Sequence, residues 1–157
     1  MKHLEITTPL TIAQFEELSI IEQQIVDKAR LASFQAYAPY SKFSVGAAIL
    51  LSNGEIITGS NQENAAYPSG TCAERTACYY AHSKYPEVQF KTIAIAARGT
   101  DGKEVALPIS PCGSCRQALL EYEKLNDNIK VILVGAEEIY ILPSIKSLLP
   151  LSFSEFK

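Results

Sequence analysis

Apolar and polar positions change period several times along this chain, and each change marks an expected element. Ile21, Ile25, Ala29 and Ala32 recur at spacings of four, four and three, giving one apolar helical face that must end before Pro39. Two pairs with capping-box spacing, Thr11 with Gln14 and Ser19 with Glu22, precede it. Residues 44–51 (SVGAAILL) and 55–61 (EIITGSN) flank Asn53-Gly54, a dipeptide suited to a tight hairpin turn, and two antiparallel strands are expected there. A polar, Gly- and Pro-containing loop follows over 61–71, then a helix from Cys72 to about Lys84 that stops before Pro86. Residues 90–97 (FKTIAIAA) read as a strand and 98–110 as a long loop containing Asp101-Gly102. Pro111 sits where a first helical turn tolerates proline, so the next helix is expected to run on to about Lys124. Two short strands at 129–134 and 139–142 and a last helical turn or two at 144–149 complete the series. Strands alternating with helices imply a three-layer α/β/α sandwich, and the hairpin makes its sheet mixed.

Composition narrows the class. At 157 residues the chain fits one domain and buries roughly 70% of its unfolded surface, enough for a core without disulfides. Hydrophobic residues are 47% and charged residues 20% of the total, which excludes a disordered chain. Fourteen Lys and Arg against 17 Asp and Glu leave a net charge of −3, with none of the basic excess that gripping a phosphate backbone needs. No apolar run approaches the ~20 residues of a membrane helix, and the start MKHLEITTPL lacks the apolar stretch of a signal peptide. A cytoplasmic protein is the resulting expectation, with no nucleic-acid or membrane partner. In that compartment Cys72, Cys78, Cys112 and Cys115 stay reduced and read as metal ligands or catalytic thiols.

Three of these cysteines fall at expected helix starts, where unpaired N–H groups favour the thiolate that a metal requires. Cys112 and Cys115, three apart, share a helical face. Three protein ligands leave zinc one position for water, the arrangement of a catalytic site; structural zinc takes four. Cys78 does not fit as a fourth: six residues along a helix rotate it by about 240° from Cys72 and raise it by roughly 9 Å. It reads as a small buried hydrophobe. Glu74, two residues beyond Cys72, lies where a carboxylate can approach the metal's open position and move protons.

Cys72-Ala73-Glu74-Arg75 with Pro111-Cys112-Gly113-Ser114-Cys115-Arg116-Gln117 resembles the zinc-dependent cytidine deaminases of pyrimidine salvage, of the small homotetrameric type. The likeness extends through residues 38–43 (APYSKF), 45–47 (VGA), 61–65 (NQENA) and 148–150 (LLP), and covers roughly residues 19–153. It implies a five-stranded mixed sheet in one catalytic domain over 19–157, preceded by an extension over 1–18, with the 98–110 loop longer than the family pattern. It also implies one zinc ion per subunit on Cys72, Cys112 and Cys115, and Glu74 as the group that shuttles protons while cytidine or deoxycytidine loses its amine as ammonia. Nucleic-acid deaminases of this kind begin their motif with His-x-Glu, whereas Cys-Ala-Glu matches the free-nucleoside enzymes.

The remaining site residues follow from the same resemblance. Asn61 and Glu63 match the pair that binds the ribose hydroxyls, and Phe43 the aromatic packed on the pyrimidine. The Ala73 backbone and the Ser110 carbonyl match the groups that read the base edge and the departing amine. Arg75, assisted by Gln117, matches the donors to the ligand sulfurs, which offset the −1 charge of three thiolates on Zn²⁺. Tyr67 and Phe153 match positions that reach a neighbouring subunit's ligand in a homotetramer. A deaminase for a different cytosine-like compound would share the zinc motif, but Asn61 and Glu63 suit an unmodified ribose. A catalytically silent zinc module would have no use for Glu74.

Overall fold

The computed structural model of the chain describes residues 1–125 and 127–154. Six strands form one sheet: β1 (Thr11–Ala13), β2 (Ser44–Leu51), β3 (Ile56–Ser60), β4 (Phe90–Arg98), β5 (Lys130–Val134) and β6 (Ile139–Leu142). They lie in the order β1-β6-β5-β4-β2-β3, antiparallel throughout except for the parallel pair β4–β5. The sheet is mixed, as expected, with the hairpin turning at Asn53-Gly54, where Gly54 has φ +88°.

Strand alternation sorts the helices to the two faces. Ala47, Ile49, Leu51, Ile93, Ile95, Val131 and Leu133 pack on one face with residues of α2 (Ala73–Lys84) and α3 (Gly113–Lys124). Ala48, Ala94, Ala96, Ile132 and Val134 form the other face, under α1 (Ile20–Ser33). The α1 side is rich in alanine, so that helix sits close: a Cβ on Gly46 would lie 2.1 Å from the Ala29 carbonyl. On the opposite face a Cβ on Gly59 would lie 2.5 Å from the Ala77 nitrogen and 2.8 Å from the Ala73 carbonyl. Glycine at 59 thus allows β3 to touch the helix that begins at Cys72. Ser19 and Glu22 form the capping box of α1, as their spacing implies, and Ile25, Ala29 and Ala32 are buried while Ile21 is largely exposed.

Three expectations need correction. The sheet has six strands where five were expected, because residues 11–13 pair with β6 in antiparallel register, Thr11 against Ile141 and Ala13 against Ile139. Thr11 therefore opens a strand and caps no helix; Gln14 and Glu17 make the capping box of the short 3-10 turn Phe15–Glu17. A three-residue strand has no local periodicity to announce it, and the exposed edge of β6 specifies it instead. Finally, α3 starts two residues after Pro111, with Cys112 as its N-cap.

Glycine-to-alanine substitution measures these approaches. Gly59→Ala is expected to cost about 2 kcal/mol or more, since overpacking here meets backbone on α2. Gly113→Ala, whose Cβ meets nothing within 4 Å, is expected to be neutral or stabilising by up to ~1 kcal/mol. Urea denaturation of both variants checks the contrast in sign.

Candidate metal centre

Two helix starts converge at the same end of the sheet. Cys72 is the N-cap of α2 and Cys112 the N-cap of α3, both with extended backbone, and neither side chain caps its own helix. Their sulfurs are 3.9 Å apart, although the residues are 40 apart in the chain. Cys115, in the first turn of α3 and fully buried, places its sulfur 3.5 Å from that of Cys112. All three sulfurs lie within 4.8 Å of one another. Zn–S bonds of ~2.3 Å in a tetrahedron separate sulfurs by roughly 3.8 Å, so the three fit one zinc ion with no rearrangement of the helices. Cys78 lies outside the cluster: it is fully buried, donates weakly to the Arg75 carbonyl and has its thiol pushed up to about 12, mainly by burial.

Among themselves the three thiols carry charge unequally. The Cys115 thiol, with Arg75 and Cys112, hydrogen-bonds the Cys72 sulfur and holds its pKa down to about 5. Cys115, bonded to that sulfur and buried, is pushed above the ordinary thiol range. One thiolate thus resists a second, until a cation displaces the remaining protons. Glu74 is 4% exposed in the first turn of α2, and its carboxyl is raised above the ordinary value, chiefly by burial, with a further push from the negative Cys72.

The polar groups around the sulfurs divide. Arg75 Nη2 donates to the Cys72 sulfur at 3.6 Å, and its Nε is buried with no protein acceptor. Gln117 does not reach a ligand sulfur: its Nε2 donates to the Phe153 carbonyl at 2.8 Å and ties the C-terminal segment to α3. Two other residues hold α3, and their sequence signals were too generic to find them. Arg116 donates to the Pro111 and Leu148 carbonyls at 2.9 and 2.7 Å, fixing the residue just before Cys112. Glu123 is buried and accepts from the backbone nitrogens of Ile129, Ile145 and Lys146. A Glu or Arg on a helix reads as a solvated side chain unless its partners are known.

Beside the sulfurs lies a cavity of about 520 Å³ whose walls include Asn61, Glu63, Tyr67, Cys72 and Arg75. Its outer wall is the 62–71 loop, closed at its base by paired bonds of 2.9 Å between the backbones of Gln62 and Thr71. Asn61 and Glu63 both turn toward the segment before β2. Asn61 accepts from Val45 N at 2.8 Å and donates to the Phe43 carbonyl at 2.9 Å. Glu63 Oε2 accepts from the Tyr40 and Ser41 nitrogens at 2.9 and 3.2 Å. Bonding to Ser41 is the largest cause holding the Glu63 carboxyl below its ordinary value, and the Tyr40 N–H and the nearby Lys42 add to it. Phe43, Ala73 and Ser110 are not among the cavity's walls: Phe43 is half-buried at the foot of β2, Ala73 is the buried first residue of α2, and Ser110 is exposed two residues before Cys112. Tyr67 stands 81% exposed on the loop.

Comparison with known proteins gives a consistent picture. The family described as the cytidine and deoxycytidylate deaminase zinc-binding region matches residues 20–130. A cytidine deaminase of Sporosarcina psychrophila is 40% identical over 133 residues, 85% of this chain and 91% of the relative. A probable cytidine deaminase of Dictyostelium discoideum is 37% identical over 133 residues, 85% and 84% of the two chains. Among solved structures, the cytidine deaminase of Burkholderia pseudomallei superposes with a TM-score of 0.71 at 35% identity, over 83% of this chain and 97% of that one. That of Mycobacterium tuberculosis superposes at 0.66 and 30% identity, over 87% and 100%.

Burial of Glu74 has a consequence for stability. Below its ordinary value of 4.5 the carboxyl is protonated in both folded and unfolded chains. As pH rises past 4.5 the unfolded chain releases the proton first, so the folded state binds more protons and stability falls until the raised folded value is passed. Metal-free Glu74→Gln is therefore expected to be more stable than the parent at pH 7 and to lose that advantage by pH 4, as read by denaturant midpoints.

Proposed function

Because the chain belongs to the cytidine and deoxycytidylate deaminase family, we propose that it is a zinc hydrolase converting cytidine and deoxycytidine to uridine and deoxyuridine with release of ammonia. The observation that carries this reading is the Glu74 carboxyl, buried in the first turn of α2 beside a cluster of three thiols. Cys72, Cys112 and Cys115 would hold one zinc ion per subunit, which when bound supplies the Lewis acidity that makes water nucleophilic at neutral pH. Glu74, its proton affinity raised by burial, is suited to take a proton from water and give it to ring N3, then to take the proton of the hydroxyl added at C4 and give it to the departing amine, ending in the state in which it began. Arg75 stabilises the thiolate charge from Cys72 outward.

The nucleoside occupies the adjoining cavity in this reading. Glu63, kept ionised and oriented by backbone donors, accepts from a ribose hydroxyl. Asn61 retains a second lone pair and a second N–H beyond its bonds to Val45 and Phe43, and both can serve the sugar. The family resemblance gives Phe43 the packing on the pyrimidine and gives the Ala73 backbone and Ser110 carbonyl its edge and amine, although none of the three lines that cavity. Loss of the cytidine ultraviolet chromophore, abolished by a chelator and restored by zinc, tests the assignment. Glu74→Gln is expected to retain zinc and fold while turnover falls by at least ~10²–10⁴, the usual worth of one acid–base group. Near-parental turnover in zinc-loaded Glu74→Gln would remove it from the chemistry.

The active form in this reading is a cytoplasmic homotetramer whose sites are closed by neighbours. No helix among the described residues is long and apolar enough to cross a membrane. Phe153 is 63% exposed, and its carbonyl is held by Gln117. With Tyr67, it would cover a neighbour's base and keep water away from it. Removal of residues 151–157 is expected to raise KM and lower kcat with zinc content unchanged. A fully active monomer in sedimentation would sink the shared-site assignment.

A further inference from the structure

Two stretches, the second of them leading into Pro111 and Cys112, meet on α1. The first is the segment ahead of that helix, where β1 leads into the 3-10 turn Phe15–Glu17 and Phe15 packs partly buried against the α1-side core. The second is the loop from β4 to α3. It makes a tight turn, with Gly99 N bonded to the Lys103 carbonyl, and then lies down on the β5–β6 turn through bonds from Ala136 and Glu137 nitrogens to the Val105 and Ala106 carbonyls. The fit is close, since a Cβ on Gly135 would be 2.6 Å from the Ala106 carbonyl.

Arg30 of α1 touches both stretches. Its guanidinium carbon lies 5.0 Å from the centre of the Phe15 ring, and its Nε donates to Glu104 Oε1 at 2.9 Å. The two charged side chains are only 23% and 20% exposed, so this pair is screened less than a surface one. Asp27, one turn earlier on α1, holds the far side of the guanidinium at 3.5 Å. Phe15 and Arg30 also border a crevice of about 90 Å³ against the β5–β6 turn, on which the loop rests.

We propose that Arg30 is a positioning residue: clamped between Phe15 and Glu104, it fixes the loop that ends in Ser110, Pro111 and Cys112, so the N-terminal segment sets how firmly the chain retains its metal. The proposal rests on the reading of Cys72, Cys112 and Cys115 as zinc ligands. Cys112 is the most exposed of the three and, like Cys72, stands where a loop meets its helix. Beyond Glu104 the chain is pinned by Val105 N on the Ala97 carbonyl, then stiffened by Pro108 and Pro111, whose fixed φ limits how the remaining residues can swing. Arg116 holds the Pro111 carbonyl from the other end. Loosening at Glu104 leaves the backbone bonds at Val105 and Ala106 and the Arg116 contact to hold Cys112, so retention weakens in part and is not abolished.

The test uses full-length zinc-loaded protein, with zinc content measured first and zinc transfer to a chromogenic chelator as the readout. Phe15→Ala, Arg30→Met and Glu104→Gln are each expected to speed zinc loss by about threefold or more, below the ~10–100-fold typical of removing a direct partner of a metal ligand. Phe15→Ala is expected to add nothing in the Arg30→Met background, because both act through one side chain. Arg30→Lys, which keeps the charge, should recover part of the retention. Amide exchange should rise at Val105, Ala136 and Glu137 and stay unchanged in α2. Transfer rates equal to the parent, additive effects, or faster exchange across every element would each overturn the brace. Absence of zinc from the parent protein would overturn the zinc reading as well, so the two failures are distinct.

Discussion

The site depends on one constraint: two sulfurs 40 residues apart must lie 3.9 Å from each other. The chain meets it by placing both helix starts at the same end of one sheet face. Each helix is held there by apolar side chains of β2, β4 and β5, and β3 approaches α2 so closely that position 59 has no room for a side chain. Packed interiors deform little, so the helices that carry the sulfurs are as rigid as the core beneath them. Cys72 and Cys112 can serve as N-caps without capping because their side chains turn toward each other and leave the exposed N–H groups of both helices near the thiolate charge.

Electrostatics then determines what the triangle tolerates. In the metal-free chain one thiolate is favoured and a second opposed, and a buried carboxyl stands beside them. Three acidic groups crowded under one arginine are a poor arrangement for stability and a good one for accepting a divalent cation. The same burial raises the proton affinity of Glu74 above that of a solvated carboxyl.

Much of this was legible in the sequence because the signals were local. The Asn53-Gly54 turn, the Ser19–Glu22 box and the periodicities of α1 and β4 each specify structure within a few residues. Cys72, Cys112 and Cys115 were legible through spacing and helix-start position, and the structure brings them together. What escaped was set by distant partners. β1 exists because β6 offers an open edge, Glu123 is buried because three backbone nitrogens from two other segments need an acceptor, and Gln117 turns away from the sulfurs toward a carbonyl 36 residues on. Resemblance supplied a role for Gln117 that geometry assigns elsewhere.

The sulfur cluster and the cavity beside it are built on different principles. Cys72, Glu74 and Cys115 stand at the starts of helices packed on a close-packed core. Asn61 and Glu63 are fixed by hydrogen bonds to the backbone of residues 40–45, and the 62–71 loop closes on itself through the Gln62–Thr71 pair. A loop that carries its own closure can change length or side chains at its tip, Tyr67 included, without disturbing the sheet. Cys112 lies between the two regimes: its helix is packed, but the loop that leads into it is held by the Arg30–Glu104 pair, by backbone bonds at Val105 and Ala106 and by Arg116 on the Pro111 carbonyl. Motion outside the core therefore reaches the sulfur cluster first at this exposed cysteine.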